Sequence, residues 1–571
     1  MQAMPAILQY QIASKLLIGI WLFLLGWIFQ KLLISSGRVA VTSGDWKFLF
    51  TTWQGILILL IGLVSLFIYV AFDINAKIVL SRQVLTDQAF SLKECVREGF
   101  LSIGKLINLR GAVVVVYIAL IAPILGIGVS ISLTESLYIP TFISAFIESS
   151  VLYSALAGFA VLVFLSVGIA NLFILHGIVL DGLPVKEAGE LSGRLMKENW
   201  KDYLIKNLLY IVTITLALVA IAVICLFIPL KLISLLPAGA VSRLLTIFFV
   251  VAGVIISGMA DMLGIPFYLM KMTQLFFSYK QGSEFRFEGE RGERRRHKVA
   301  AGIVLAVLVC ATFILFVQFD RIFPPDTNVK IIAHRAGGNE GGENTVSGLK
   351  AAIKAGAYGS EIDIQRTKDG HYVLNHDGTF KRVAGVKKKP KDMTLGEIRK
   401  LKVKGGPVPT FEEILSASEG KIVLFTELKG KTADRKMAEY AVSLIKKNGL
   451  EDECVLISLK YDLIDYIETT YPEIQTGFLT FASFGKTAHL NCDYIGLEEE
   501  SATSDAIGSI HEEGKKALVW TANEEDSQKH FLCTHVDGLI TDNVSQAVRI
   551  SEELEKRSDL DRMVDKIKTV L

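Results

Sequence analysis

The sequence predicts two architectures in one chain, a polytopic α-helical membrane domain followed by an α/β domain of the (β/α)8, or TIM-barrel, type. Three observations carry this. The 571 residues have a mean hydropathy of +0.44, with 51% hydrophobic and only 21% charged residues, which is too apolar for a soluble protein of this size. Seven apolar stretches, 16–34, 55–72, 111–133, 151–175, 208–230, 244–269 and 299–319, are close to the roughly 20 residues a helix needs to cross a bilayer. Beyond residue 330 the pattern changes to short β-rich runs alternating with amphipathic helices, the signature of a parallel α/β sheet.

The apolar stretches are read as spans rather than as a soluble core because segments such as 113–121 and 216–230 have no polar side. A shorter run, 138–147, reads as a re-entrant or interfacial segment. The first stretch lacks a basic start and a small-x-small cleavage site, so it is expected to be a retained anchor and not a signal peptide. Lys and Arg gather in alternate connections: after the second stretch (Lys77, Arg82, Lys93), after the fourth (Lys186, Arg194, Lys197) and before the last (Arg294, Arg295, Arg296). The positive-inside rule then puts the N-terminus in the cytoplasm, and an odd number of spans puts the C-terminal domain outside it.

Segments 91–108 and 185–207 both read as amphipathic helices leading into a span. Each follows an acidic residue, Asp73 or Asp181, which suggests a duplicated unit. Basic rims of this kind attract anionic headgroups, or simply lie on the surface and fix the topology. Asp261, inside the sixth stretch, is a functional candidate because a carboxylate is costly there. The six cysteines have no CxxC spacing, so neither a zinc site nor a disulfide framework is expected. A formal charge of +2 gives no reason to expect a nucleic-acid partner.

The expected domains are a membrane domain over 1–322, a linker over 323–329 containing paired prolines, a barrel over 330–555 and a tail over 556–571. Strands are predicted at 330–333, 359–364, 371–375, 421–427, 454–458, 475–479, 494–497, 516–521 and 538–540. Helices at 410–417, 432–448, 461–471, 504–513 and 522–533 separate most of them. The length suits a (β/α)8 barrel. A doubly wound open sheet is the competing architecture, but no Gly-rich dinucleotide or Walker fingerprint supports it.

Polar residues gather where these strands end, which is where barrel enzymes carry their sites. The ends bear His334-Arg335, Glu361-x-Asp363, His376-Asp377, Glu427-x-Lys429, Trp520 and Asp542. Glu361 and Asp363 are two apart on a strand, so both point to one side. With Glu427 they would form a hard-oxygen site suited to Mg2+ or Ca2+ rather than zinc. Arg335 and Lys429 supply positive charge for an anionic substrate, Arg with a planar fork that matches phosphate oxygens. His334 and His376 can serve as base and acid, and neighbouring carboxylates are expected to raise their pKa toward neutrality. Together these groups describe cleavage of a phosphodiester.

These residues also carry a family resemblance. The ordered set His334-Arg335, Glu343-Asn344-Thr345, Glu361-x-Asp363, Thr367-x-Asp369-Gly370 and His376-Asp377 resembles the glycerophosphodiester phosphodiesterase signature. The later PTFEEIL (409–415), Glu427-x-Lys429, VWTAN (519–523) and DGLITD (537–542) match as well. The hydrophobic half is similar in architecture to the membrane domain fused ahead of this catalytic domain in some bacterial members. The resemblance implies that His334 and His376 are the acid–base pair and that Glu361, Asp363 and Glu427 hold Ca2+ or Mg2+. It implies that Arg335 and Lys429 bind phosphate and that Trp520 lines the pocket. It further implies cleavage to glycerol 3-phosphate and an alcohol, by a route in which the glycerol 2-hydroxyl can be the internal nucleophile.

One departure is that the usual HRG reads His334-Arg335-Ala336, with glycine following at Gly337. The stretch after His376, ending in Lys387-Lys388-Lys389, is short and predicts a small cap over an open cleft. The expected partners are a glycerophosphodiester or lysolipid-type substrate and membrane lipids. A competing reading makes the membrane half a lipid-binding or lipid-transport module with an accessory hydrolase. A catalytically dead sensor domain is disfavoured because no motif residue is missing.

Overall fold

The computed structural model describes residues 3–42, 47–108, 110–114, 150–237, 239–282, 294–323, 328–481 and 483–568. The chain divides into two compact units, one of Met1–Trp27 with Leu57–Gln318 and one of Ile28–Ile56 with Phe319–Leu571.

Five helices among the described residues are long and apolar enough to cross a membrane: Met4–Ser35, Trp53–Leu85, Val151–Leu180, Val185–Ile233 and Ala240–Gln281. All lie in the first unit except the end of the first helix from Ile28 and the start of the second up to Ile56, which belong to the second unit. Gly302–Val317 is a shorter apolar helix. Val185–Ile233 has a window of hydropathy 3.1 of which none is buried, a surface that only a lipid solvent makes favourable. Most of the predicted span 111–133, and all of 138–147, lie outside the described residues, as does the side chain of Asp261. Of the two predicted amphipathic segments, Leu92–Leu106 is a separate helix whose Ser91 cap accepts from Glu94 N–H. The other runs without a break into its span as Val185–Ala222. The acidic residues before them are paired, Asp73 with Lys77 and Asp181 with Lys280 at 2.6 Å.

The second unit is built on strands β1 (Ala40–Thr42), β2 (Lys330–Ala333), β3 (Gly359–Arg366), β4 (Tyr372–Leu374), β5 (Val423–Leu428), β6 (Cys454–Ser458), β7 (Thr476–Thr480), β8 (Ser483–Gly485), β9 (Tyr494–Glu498), β10 (Lys516–Trp520) and β11 (Gly538–Thr541). The order β2-β3-β5-β6-β7-β9-β10-β11 closes on itself through β11–β2, and every pairing in it is parallel. The closed sheet is the predicted eight-stranded barrel and excludes the open one. Nine strands were predicted for eight places because β4 is no barrel stave. It folds back antiparallel on β3, with Ile364 opposite Leu374.

Inside the barrel Ile332, Phe425, Ile457, Leu479, Leu518 and Ile540 form an apolar plug, so the interior is packed and the chemistry is confined to its mouth. Residues between His376 and Pro409, which include the stretch where a small cap is expected, have their own core of Phe380, Met393, Ile398 and Val408 beside Val373. The predicted tail is the helix Asp559–Lys568. Its Arg562 bonds Asp320 at 2.9 Å and the Phe323 carbonyl.

Candidate active site

Strand register assembles the acidic floor of the mouth. On β3, Glu361 and Asp363 share a face, while Ile362 and Ile364 point into the apolar layer outside. The parallel pairing sets Asp363 directly opposite Glu427 of β5. All three carboxylates are buried, with one oxygen of each within 4.8 Å of the others. Lys429, one turn of the pleat beyond Glu427, places its ammonium 2.9 Å from Asp363 and 2.6 Å from Glu427.

Three buried carboxylates against one ammonium make an under-compensated charge. Burial and the neighbouring Asp363 push Glu361 well above the usual carboxylate range. Burial, opposed by Lys429, pushes Glu427 up to about 7. Burial acts on Asp363 too, but Lys429 and His376 overcome it and hold that group below its ordinary range. Lys429 stays firmly protonated because Asp363 and Glu427 outweigh its burial. Hard oxygen donors that retain protons for want of positive charge suit a divalent cation.

The wall is made by the loop after β2. Arg335 and Ala336 both adopt left-handed backbone, with φ of 49° and 72°. Ala336 therefore occupies a backbone conformation that glycine adopts most easily, at a cost of roughly 1 kcal/mol. The following Gly338 has a φ of 52°, and a Cβ there would lie 2.4 Å from the Asp542 carbonyl. This folding aims the Arg335 N–H at Glu361 (2.8 Å) and its guanidinium at His376 Nε2 (3.0 Å).

Each imidazole is held by a carboxylate on Nδ1, His334 by Asp542 and His376 by Asp377, both at 2.9 Å. The ring centroids are 6.5 Å apart. A guanidinium can only donate, so His376 Nε2 accepts and carries no proton. The expectation that carboxylates raise the histidine pKa fails at His376. Burial lowers it, outweighing the pull of Asp363 and the Asp377 bond. Burial raises Asp542 in turn, but hydrogen bonds from His334 and Asn523 reverse this and keep it ionised. Trp520 enters from β10, its indole N–H donating to the Gly496 carbonyl (3.1 Å) while the ring packs on the barrel plug.

The structure thus joins His334, Arg335, Glu361, Asp363, His376, Glu427 and Lys429 into one contact network, with Trp520 at the end of β10, one strand further round the barrel than β11. Reading the sequence by residue type missed the groups that aim this network. Asn344 donates to Asp363 (2.7 Å) and accepts from its N–H (3.1 Å). Glu343 reaches Arg335 and Arg382, and Arg382 also grips Asp377 (2.9 Å). Glu343 and Asn344 stand in a motif, but neither residue type announces an orienting role without the fold. Asn344→Ala is expected to weaken divalent-cation binding about 10–100-fold, as loss of such outer partners does, measured by calorimetry on the purified chain.

A barrel mouth with an acidic floor and an imidazole-bearing, cationic wall defines a hydrolase of phosphate esters. The sequence compares accordingly. The description "Glycerophosphoryl diester phosphodiesterase family" matches residues 334–546, and "Membrane domain of glycerophosphoryl diester phosphodiesterase" matches residues 1–317. The chain belongs to the glycerophosphoryl diester phosphodiesterase family, and is a glycerophosphodiester phosphodiesterase carried on a multi-pass membrane domain.

Among its relatives, YhdW of Bacillus subtilis (strain 168) is 29% identical over 227 residues, 37% of this chain and 93% of that protein. A glycerophosphodiester phosphodiesterase of Caldanaerobacter subterraneus subsp. tengcongensis is 27% identical over 234 residues, 38% and 96% of the two chains. A solved Oleispira antarctica phosphodiesterase, in complex with the product sn-glycerol-3-phosphate, is 22% identical, covers 39% of this chain and 96% of that one, and has a TM-score of 0.37.

Proposed function

We propose that this enzyme hydrolyses glycerophosphodiesters at the outer surface of the membrane, with a divalent cation, Ca2+ or Mg2+, and with His334 and His376 as its acid–base pair. The reading rests chiefly on the register that sets Asp363 opposite Glu427 beside Glu361, with both imidazoles at the same end of the barrel. The positive-inside pattern supports the orientation.

Arg335 and Lys429 would bind the phosphoryl oxygens, Arg335 turning from His376 as substrate enters. The unprotonated Nε2 of His376 then takes the proton of the attacking hydroxyl, either the glycerol 2-hydroxyl or water. Across the mouth, His334 gives a proton to the departing alcohol oxygen as its bond to phosphorus breaks. Asp377 and Asp542 hold the two rings in the tautomers this requires. When bound by Glu361, Asp363 and Glu427, a divalent cation supplies Lewis acidity that offsets the charge building on phosphorus-bound oxygen. Where the 2-hydroxyl attacks, water opens the resulting cyclic ester, so the overall products are glycerol 3-phosphate and an alcohol.

The purified full chain in detergent, given glycerophosphocholine, is expected to release glycerol 3-phosphate by mass spectrometry. EDTA should abolish release and added Ca2+ or Mg2+ restore it. Undiminished activity in EDTA, or a different product, would refute this mechanism. Because burial holds the His376 pKa down, its neutral form persists on acidification. At saturating cation, which keeps the acidic floor ionised, the acid limb of kcat/KM should therefore fall below pH 6.5, the unperturbed histidine value; a limb above pH 7 under that condition would remove His376 as the base.

A further inference from the structure

The span ending at Ser35 and the helix starting at Trp53 are joined by a segment that does not stay beside them. Its strand β1 pairs antiparallel with β8 of the barrel, setting Ala40, Val41 and Thr42 opposite Gly485, Phe484 and Ser483. Lys486 N–H extends the ribbon by donating to the Val39 carbonyl (3.1 Å). Leu33, on the last turn of the first span, is fully buried, and Ala40 and Val41 are buried as well. Gly485 has a φ of 101°, and a Cβ there would lie 2.9 Å from both the Leu33 methyl and the Val39 carbonyl. The span's end and the barrel loop are therefore fitted to each other.

The place of this joint matters. β8 lies just past the C-terminal end of β7, at the end of the barrel that carries the site. In the closed order, β7 stands four strands from β2 in either direction, so the ribbon forms the rim directly across the mouth from His334 and Arg335. Flanking it in the chain are exposed apolar side chains, Ile34 on the first span, Phe50 on the short helix Lys47–Thr51, and Trp53 and Ile56 at the start of the second span. Aromatic residues at a span end are the usual occupants of the bilayer interface.

We propose that the β1–β8 ribbon fastens the far rim of the catalytic mouth to the bilayer interface, so that the enzyme favours glycerophosphodiesters whose apolar anchor stays in that membrane. This rests on the phosphodiesterase reading above and specifies its substrate class as single-chain glycerophospholipids. Pairing also requires the segment between the first two spans and the catalytic domain to share one side of the membrane. That agrees with the side given by the distribution of Lys and Arg.

Lysophosphatidylcholine in phosphatidylcholine vesicles and free glycerophosphocholine present the same scissile bond with and without an anchor. In the full chain reconstituted in such vesicles, Val41→Pro breaks the ribbon. It is expected to lower kcat/KM for the vesicle-borne lipid at least about tenfold, through loss of effective concentration, and that for glycerophosphocholine less than about twofold. A Val41→Cys, Phe484→Cys pair, closed by oxidation, should keep the unaltered chain's preference. Equal losses on both substrates, or no loss on the lipid, would overturn the proposal. Failure of the unaltered chain to cleave glycerophosphocholine would instead overturn the phosphodiesterase reading.

Discussion

Glu361→Gln is expected to lower kcat/KM on glycerophosphocholine by about 10³-fold or more, the scale of losing a principal charge-stabilising group. It should also remove most divalent-cation binding, read by calorimetry. The substitution keeps a neutral acceptor near Arg335 N–H, which donates to Glu361 at 2.8 Å, so the loop after β2 should hold. The same variant should raise the thermal stability of the EDTA-treated protein. Because the folded pKa of Glu361 is raised by burial and Asp363, its contribution to stability is full below the unfolded value and is lost as pH climbs through the folded one. Above the unfolded value the penalty therefore grows with pH, and glutamine removes it, so the gain in Tm, roughly 2 °C or more at pH 8, should be smaller at pH 5. The gain should shrink when the unaltered protein is saturated with cation. Normal cation affinity in Glu361→Gln would remove Glu361 from the ligand set.

The second large effect separates the two histidines. His334→Ala and His376→Ala should each lower kcat about 10²–10⁴-fold, the usual worth of a placed proton donor or acceptor. On a glycerophosphate ester of p-nitrophenol, whose leaving group needs no proton, His334→Ala should recover most of its activity and His376→Ala should not. The opposite pattern would exchange their roles. The assignment derives from one contact, since the Arg335 guanidinium 3.0 Å from His376 Nε2 leaves that nitrogen only an acceptor's part. Asp377, gripped in turn by Arg382, keeps the proton on the other nitrogen.

Much of this site could be read from the linear chain. A strand has period two, so Glu361 and Asp363 had to share a face, and strand ends collect the chemistry in parallel barrels. What period and position could not supply was register. Nothing in the sequence says that Glu427 stands opposite Asp363 and not two residues away, and that offset decides whether three carboxylates meet. Nor could it show that Lys429 rests on those carboxylates, or that Asn344 clamps Asp363. The rise expected in the His376 pKa was reversed because the depth of the ring is a property of the folded mouth. The surplus predicted strand, 371–375, has ordinary β composition, and only its hairpin geometry shows that β4 is not a stave.

By itself the sequence determined the solvent of each half and the chemistry of the site. Hydropathy and periodicity are sums over neighbouring residues, and carboxylate, imidazole and guanidinium bring their reactivity wherever the chain carries them. Tertiary structure alone decided the distances among those groups, the tautomer of His376 and the joining of residues 40–42 to the rim of a barrel that begins almost 300 residues later. Contacts between distant segments depend on closure and register, which no local pattern encodes.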